Sequence, residues 1–321
     1  MSAAQSMSRR SFLKSSSLAF AGAALVSLPI AGFATGGSSK FKLALNPGII
    51  GVKANQEQLI EYAAKYGFEA ITPFPTELSM CSASKCSEWV SQMKAHWLSW
   101  DSTNLPVEFR KDEAAYRSGL QMLPTAVKAL QTVGATRMNT WVLPAHQDLT
   151  YRENFEQHAR RMRECAKIAN DSGIRLGLEY VGPKTKLTAE RYPFIRTMRE
   201  MRELIAEINQ PNVGLVLDSF HWHCAEDTAA DIMELTPNDV VTVDINDARS
   251  DLSREQQIDS TRELPLATGV IDLKAFLSAL VKIGYEGPIR AEPFNAKLNE
   301  MENDEALATC VKAMRAAFVL V

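Results

Sequence analysis

The 321-residue chain is short of several things, and each shortage excludes something. Excess positive charge is absent. The formal net charge is −3, whereas a nucleic-acid footprint needs a basic face. No run of like charges is long enough to form an interaction tail. Cysteine occurs only five times, as Cys81, Cys86, Cys165, Cys224 and Cys310. That odd number, without metal-type spacing, makes no recognisable disulfide framework, and most of the five read as buried thiols. No Gly-x-Gly-x-x-Gly follows the first strand-like run, which weakens a dinucleotide-binding reading. The apolar stretch at 18–33 spans about 16 residues and is rich in Gly, Ala and Ser, so it is short and weak for crossing a bilayer.

What remains is the composition of an ordinary globular protein, 46% hydrophobic and 23% charged. The apolar stretch at 18–33 follows Ser8-Arg9-Arg10-Ser11-Phe12-Leu13-Lys14, a run that resembles a twin-arginine export signal, with small residues near 34 for cleavage. The expectation is a signal peptide at 1–34, a linker at 35–40 and one domain at 41–321. A retained anchor is the alternative. Such a signal implies export of an already folded protein to a periplasmic or extracytoplasmic space, with no membrane contact after cleavage. About 285 residues would then remain, close to the ~250 of one α/β barrel. The mature chain would carry a net charge of −6.

Short apolar runs alternate with longer amphipathic ones. The strand-like runs lie at 41–45, 69–73, 97–101, 137–142, 175–180, 213–218, 240–245 and 288–292. Helix-like stretches lie at 55–66, 84–96, 113–133, 152–172, 193–209, 228–235, 273–283 and 304–318. Gly67, Gly134, Gly173 and Gly284 follow helix-like stretches, where a left-handed residue ends a helix cheaply. Eight strand–helix alternations predict a parallel sheet closed into an α/β (β/α)8 TIM barrel, an open doubly wound sheet being the alternative.

In such a barrel, chemistry gathers where the strands end. Here the late strands end in acids: Glu179, Asp218, Asp244 and Glu292. Any one of them could be a helix cap or a rim ion pair. Four together would converge on one mouth and raise each other's pKa, a conflict that a divalent cation removes. His221, three residues after Asp218, could reach substrate, a metal-bound water or the metal, or simply pack. His223 reads more readily as a packed histidine. Asp247 could orient a ligand from behind, or cap a loop. Asn46, Trp141, His146 and Lys184 follow strand ends and are candidates for positioning substrate. Trp97, Trp100 and Trp222 could stack on a flat substrate face, and core packing accounts for such aromatics equally well.

These segments resemble the xylose isomerase-like barrel superfamily, in its sugar phosphate isomerase/epimerase branch. The strongest are Gly173-Ile-Arg-Leu-Gly-Leu-Glu179, Leu217-Asp218-Ser-Phe-His221-Trp, Val243-Asp244-Ile-Asn-Asp247 and Ile283-Gly-Tyr-Glu-Gly-Pro-Ile-Arg-Ala-Glu292-Pro. The resemblance implies that Glu179, Asp218 and Glu292 bind one divalent metal, that Glu179 and Glu292 also transfer protons, and that His221 faces substrate. Two departures stand out. The fourth ligand position, usually histidine, is Asp244. The usual Gly-Glu-Gly turn is replaced by Ala267-Thr268-Gly269, while Arg262 before it remains a candidate for substrate binding. An all-oxygen site favours Mn²⁺ or Mg²⁺, with Co²⁺ or Zn²⁺ as lesser alternatives. The implied activity is isomerisation or epimerisation of a carbohydrate or ketosugar through an enediolate. A lyase or dehydratase acting on an oxidised sugar or cyclic polyol, and an inactive sugar-binding barrel, are the alternatives. The expected partner is a small-molecule carbohydrate, with a homo-oligomer left open.

Overall fold

A computed structural model describes residues 40–321. The export signal and nearly all of the linker expected at the N-terminus lie outside the described residues. Eleven strands are present among the described residues: β1 (Lys42–Leu45), β2 (Ala70–Ile71), β3 (Ser99–Trp100), β4 (Thr103–Asn104), β5 (Arg137–Val142), β6 (Ala145–His146), β7 (Arg175–Tyr180), β8 (Tyr192–Pro193), β9 (Val213–Asp218), β10 (Val240–Ile245) and β11 (Pro288–Ala291). Nine of them form one parallel sheet in the order β3-β2-β1-β11-β10-β9-β7-β5-β4. The two ends of that order, β3 and β4, are separated in the chain by only Asp101 and Ser102. They act as two halves of one stave, so eight staves make the α/β barrel the alternation predicts.

Strand alternation decides what faces inward. In β9, Leu215 and Leu217 pack outward while Val216 and Asp218 point in. The register continues this face across β10 and β11, pairing Asp218 with Asp244 and Asp244 with Arg290. On the other side, β5 and β7 pair Asn139 with Gly177 and Trp141 with Glu179. A Cβ on Gly177 would lie 2.8 Å from Val216 Cγ2, so only glycine allows strands with valine-filled neighbours to close here. The outward apolar residues, among them Leu176, Leu178, Leu217, Val243 and Ile289, are fully buried under the helices.

The helices largely follow their sequence signals. Asn55, Thr150 and Thr197 each form a reciprocal capping box, and Gly67, Gly134, Gly173 and Gly284 have φ between 70° and 78°. The helix expected at 193–209 is shorter, Met198–Ile208. Tyr192 and Pro193 instead pair antiparallel with Ala145 and His146 as β8 with β6. Short helices at Pro75–Met80, Lys184–Leu187, Ser219–Ala225 and Ala296–Asn299 escape the sequence reading, because one or two turns show no period. Cys165, Cys224 and Cys310 are buried thiols, while Cys81 and Cys86 are disulfide-bonded across a Cα–Cα distance of 6.1 Å. No helix of the described residues is long and apolar enough to cross a membrane.

Candidate active site

The C-terminal ends of β7, β9, β10 and β11 bring Glu179, Asp218, Asp244 and Glu292 together. Each offers a carboxylate oxygen within 4.8 Å of the others. Glu179, Asp218 and His221 make a second, overlapping group on the same terms. The local chain explains how each arrives. Asp218 is both the last residue of β9 and the N-cap of the helix Ser219–Ala225. Its Oδ1 accepts from the Phe220 and His221 amides at 2.6 and 3.1 Å. That turn aims His221 at the mouth. Gly182 permits it, since a Cβ there would collide with the His221 carbonyl oxygen.

Burial and crowding act on these acids in the same direction. Glu179 is raised well above its ordinary range by burial first, then by the Glu292, Asp218 and Asp244 carboxylates. Glu292 is pushed up to about 8 by burial and Asp244, against the opposing pull of Arg262. Asp218 rises to about 6, again chiefly through burial, with Arg262 opposing. His221 falls to about 3 because burial and Arg262 disfavour its cation. Its Nδ1 lies 3.3 Å from the Gly182 amide and its Nε2 3.2 Å from Arg262 Nη2, so both ring nitrogens face donors. Nε2 lies 3.9 Å from Glu179 Oε1 and 3.8 Å from Asp259 Oδ1.

Two arginines enter this acidic layer. Arg262 Nη1 lies 2.9 Å from Asp218 Oδ2 and 3.2 Å from Glu292 Oε2, and its Nη2 donates to Asp259 at 2.8 Å. The guanidinium is clamped between the Phe220 and Phe294 rings, each 4.7 Å away. Arg290 lies one layer deeper and grips both oxygens of Asp244, at 2.7 and 2.6 Å. It also donates to Ser102 and reaches Asp101, which accepts from Thr242. Asp244 therefore brings its own buried counter-charge.

Several expectations need correction. Asp247 does not orient a ligand. Its carboxylate accepts from the amides of Ala248, Thr268, Gly269 and Ile271, and so shapes the Ala267-Thr268-Gly269 turn. Asn246 sits behind the site instead, donating to Asp218 Oδ2 at 2.8 Å and accepting from the Glu292 amide at 2.7 Å. Lys184 is held at the exposed rim by Glu255, 2.8 Å away, rather than at the acids. Trp97 is 92% exposed and precedes β3, at the opposite end of the barrel. The Trp100 indole donates to the Val133 carbonyl, and Trp222 packs on Phe276 at 5.4 Å, so neither is a stacking platform at the mouth. His223 belongs to neither acidic group.

Trp141 and His146 do line a mouth-side cavity of about 950 Å³. Arg110, which sequence reasoning missed, stacks on Trp141 with Cζ 4.0 Å from the ring centre. Arg290, Asn246, Asp259 and Arg110 were missed for one reason. Isolated polar residues in strands and loops carry no spacing signal, and only their partners reveal them.

Comparison with known proteins agrees with this architecture. The model of the family described as "Xylose isomerase-like TIM barrel" matches residues 60–316. The chain belongs to that family. An inosose isomerase of Bacillus velezensis is 24% identical over 282 residues, covering 86% of this chain and 96% of the relative. A ketose 3-epimerase of Arthrobacter globiformis is 25% identical over 236 residues, covering 72% and 73%. Among solved structures, a xylose isomerase domain protein from Alicyclobacillus acidocaldarius superposes with a TM-score of 0.76. It is 26% identical and covers 87% of this chain and 99% of that one.

The donor set fits a hard divalent cation. Four carboxylates meet at one point, and Glu179 Oε1 is buried without a hydrogen-bond partner. Arg262 and Arg290 supply two positive charges among six acids, counting Asp101 and Asp259. Excess buried negative charge with an unsatisfied oxygen is costly unless a cation joins it.

Proposed function

We propose that the chain is a divalent-metal-dependent isomerase or epimerase acting on a ketosugar or a cyclic keto-polyol. The observation that carries this reading is the pair Glu179 and Glu292. They face one point from β7 and the end of β11, both raised above the ordinary carboxylate range by burial and by neighbouring carboxylates, Glu292 to about 8. A general acid–base group works best with a pKa near the operating pH. Glu179, Asp218 and Glu292 would hold the ion, with Asp244 sharing its carboxylate between that ion and Arg290. Mn²⁺ or Mg²⁺ suits such an oxygen set. A bound cation would polarise a substrate carbonyl and acidify the adjacent C–H.

The chain's own groups do the rest. One of Glu179 and Glu292 removes the proton from carbon, and the other returns one to the neighbouring carbon or to the opposite face. His221 and the guanidinium of Arg262, 3.2 Å apart, are the polar groups beside the acids that would meet substrate oxygens. The relatives named as an inosose isomerase and a ketose 3-epimerase support this class of reaction.

Metal analysis of purified protein, followed by incubation of candidate ketosugars and inososes in D₂O, tests the reading. Deuterium entering at carbon without loss of a substituent is the expected result. Elimination of a substituent would assign the site to lyase chemistry, and metal-loaded protein that exchanges no substrate would reject an enzymatic role. We further propose twin-arginine export, on the Arg9-Arg10 motif and the apolar stretch that follows it. Changing both arginines to lysine should retain the protein in the cytoplasm, and normal export would exclude that route.

A further inference from the structure

The cavity beside Trp141 is not part of the acidic site, yet it adjoins it. Loops after β4, β5 and β7 line it, so it opens at the same end of the barrel. Trp141 is in register with Glu179 on the neighbouring strand, and parallel strands lie about 4.8 Å apart. A ligand touching Glu179 therefore continues onto Trp141 without leaving the mouth. At about 950 Å³ the cavity is near the top of the ~300–1,000 Å³ range for small-molecule sites. That is more room than the reacting sugar ring needs.

The lining specifies the occupant. Trp141 is 38% exposed even with Arg110 stacked against its ring. Arg110 is immobilised by Glu108 at 2.8 and 3.2 Å and by the Trp141 carbonyl at 3.0 Å. His146 Nδ1 accepts from the Asp148 and Leu149 amides at 3.0 and 2.9 Å, which leaves Nε2 as a fixed donor. Three basic and five acidic side chains line the cavity, so an anion such as a sugar phosphate meets net repulsion. An apolar chain would strand these polar groups. A flat aromatic surface ringed by fixed hydrogen-bonding groups of both kinds matches a neutral pyranose, which has an apolar face and a rim of hydroxyls.

We propose that this cavity is a subsite for a second, non-reacting neutral sugar unit stacked on Trp141, making the substrate a glycoside-linked sugar rather than a free monosaccharide. The inference rests on the carbohydrate reading of the acidic site. Because Arg110 and His146 are already held in place, docking the second unit orders little of the protein.

Calorimetric titration of the metal-loaded full chain tests it, using the ketosugar fructose with the fructose-terminated disaccharides maltulose and lactulose, and fructose 6-phosphate. At least one disaccharide should bind about tenfold or more tightly than its own monosaccharide, and the sugar phosphate should gain nothing. Trp141→Ala should collapse the disaccharide-to-monosaccharide ratio towards one, Trp141→Phe should keep most of it, and Arg110→Gln should fall between. A ratio near one throughout in the unmodified protein overturns the subsite. So does a ratio that survives Trp141→Ala, or a preference for the phosphate. Preferential disaccharide binding without proton exchange rejects only the isomerase reading, whereas exchange on monosaccharides with no gain from a second sugar rejects only the subsite.

Discussion

The two halves of the barrel mouth handle charge in opposite ways. On the β7–β11 side, acids are buried, crowded and only partly neutralised, and burial with mutual repulsion raises Glu179, Asp218 and Glu292 above the ordinary carboxylate range. On the β4–β5 side, Arg110 is matched by Glu108 and lies partly open to solvent beside an exposed tryptophan. That pair is only partly buried, and against that burial Arg110 holds Glu108 below its ordinary value rather than raising it. The contrast separates a half suited to moving protons from a half suited to holding a ligand still.

The largest expected effect lies in the acidic half. Glu292→Gln should lower proton exchange by about 10²–10⁴-fold even when its metal content is restored, because a proton-transfer group is lost. Asp218→Asn should lose metal first, and should recover part of its activity at high Mn²⁺. Substantial exchange by metal-loaded Glu292→Gln would remove the acid–base assignment and leave the metal site standing.

The next effect concerns stability. Arg290→Met leaves Asp244 and Asp101 buried without their shared cation, and breaking a buried pair costs about 3–5 kcal/mol. Denaturant titration should show that loss, and Asp244→Asn in the same chain should restore part of it. If the double variant is no better than Arg290→Met, the pair does not act as a unit. Arg110→Gln in the other half, where the pair with Glu108 is less deeply buried, should cost less than Arg290→Met.

The smallest effect is a pH profile. In metal-free protein, Glu292 keeps a proton up to about 8 that the unfolded chain releases near 4.5, so stability falls as pH rises through that window. His158 and His221 are depressed from 6.5 to about 4 and about 3, chiefly by burial. The unfolded chain therefore binds protons first, and stability also falls as pH drops below 6.5. The melting temperature of metal-free protein should peak between pH 4.5 and 6.5. Divalent cation should abolish the alkaline fall more than the acid one. An alkaline fall that persists unchanged with bound metal would separate Glu292 from the ion.

Much of this was readable before any fold was known. Period and glycine punctuation located all eight staves, and the acids closing four successive apolar runs, Glu179, Asp218, Asp244 and Glu292, pointed to one mouth. Other readings failed where a residue's meaning depended on its neighbours. Asp247 looked like a support for the metal site, but the amides of Thr268, Gly269 and Ile271 claim it. Lys184 stood beside Glu179 in sequence and was drawn to Glu255 in space.

The sequence by itself determined the βα alternation, the inward phase of each strand and the residue types at the strand ends, because these follow from local period and the cost of burying charge. Only the tertiary structure decided that Arg290 grips both oxygens of Asp244, that Arg262 lies between Asp218 and Glu292, and that Arg110 covers Trp141. Each of those contacts joins residues 30 to 46 positions apart, where chain-local propensity has no reach and the register of the closed sheet chooses the partner.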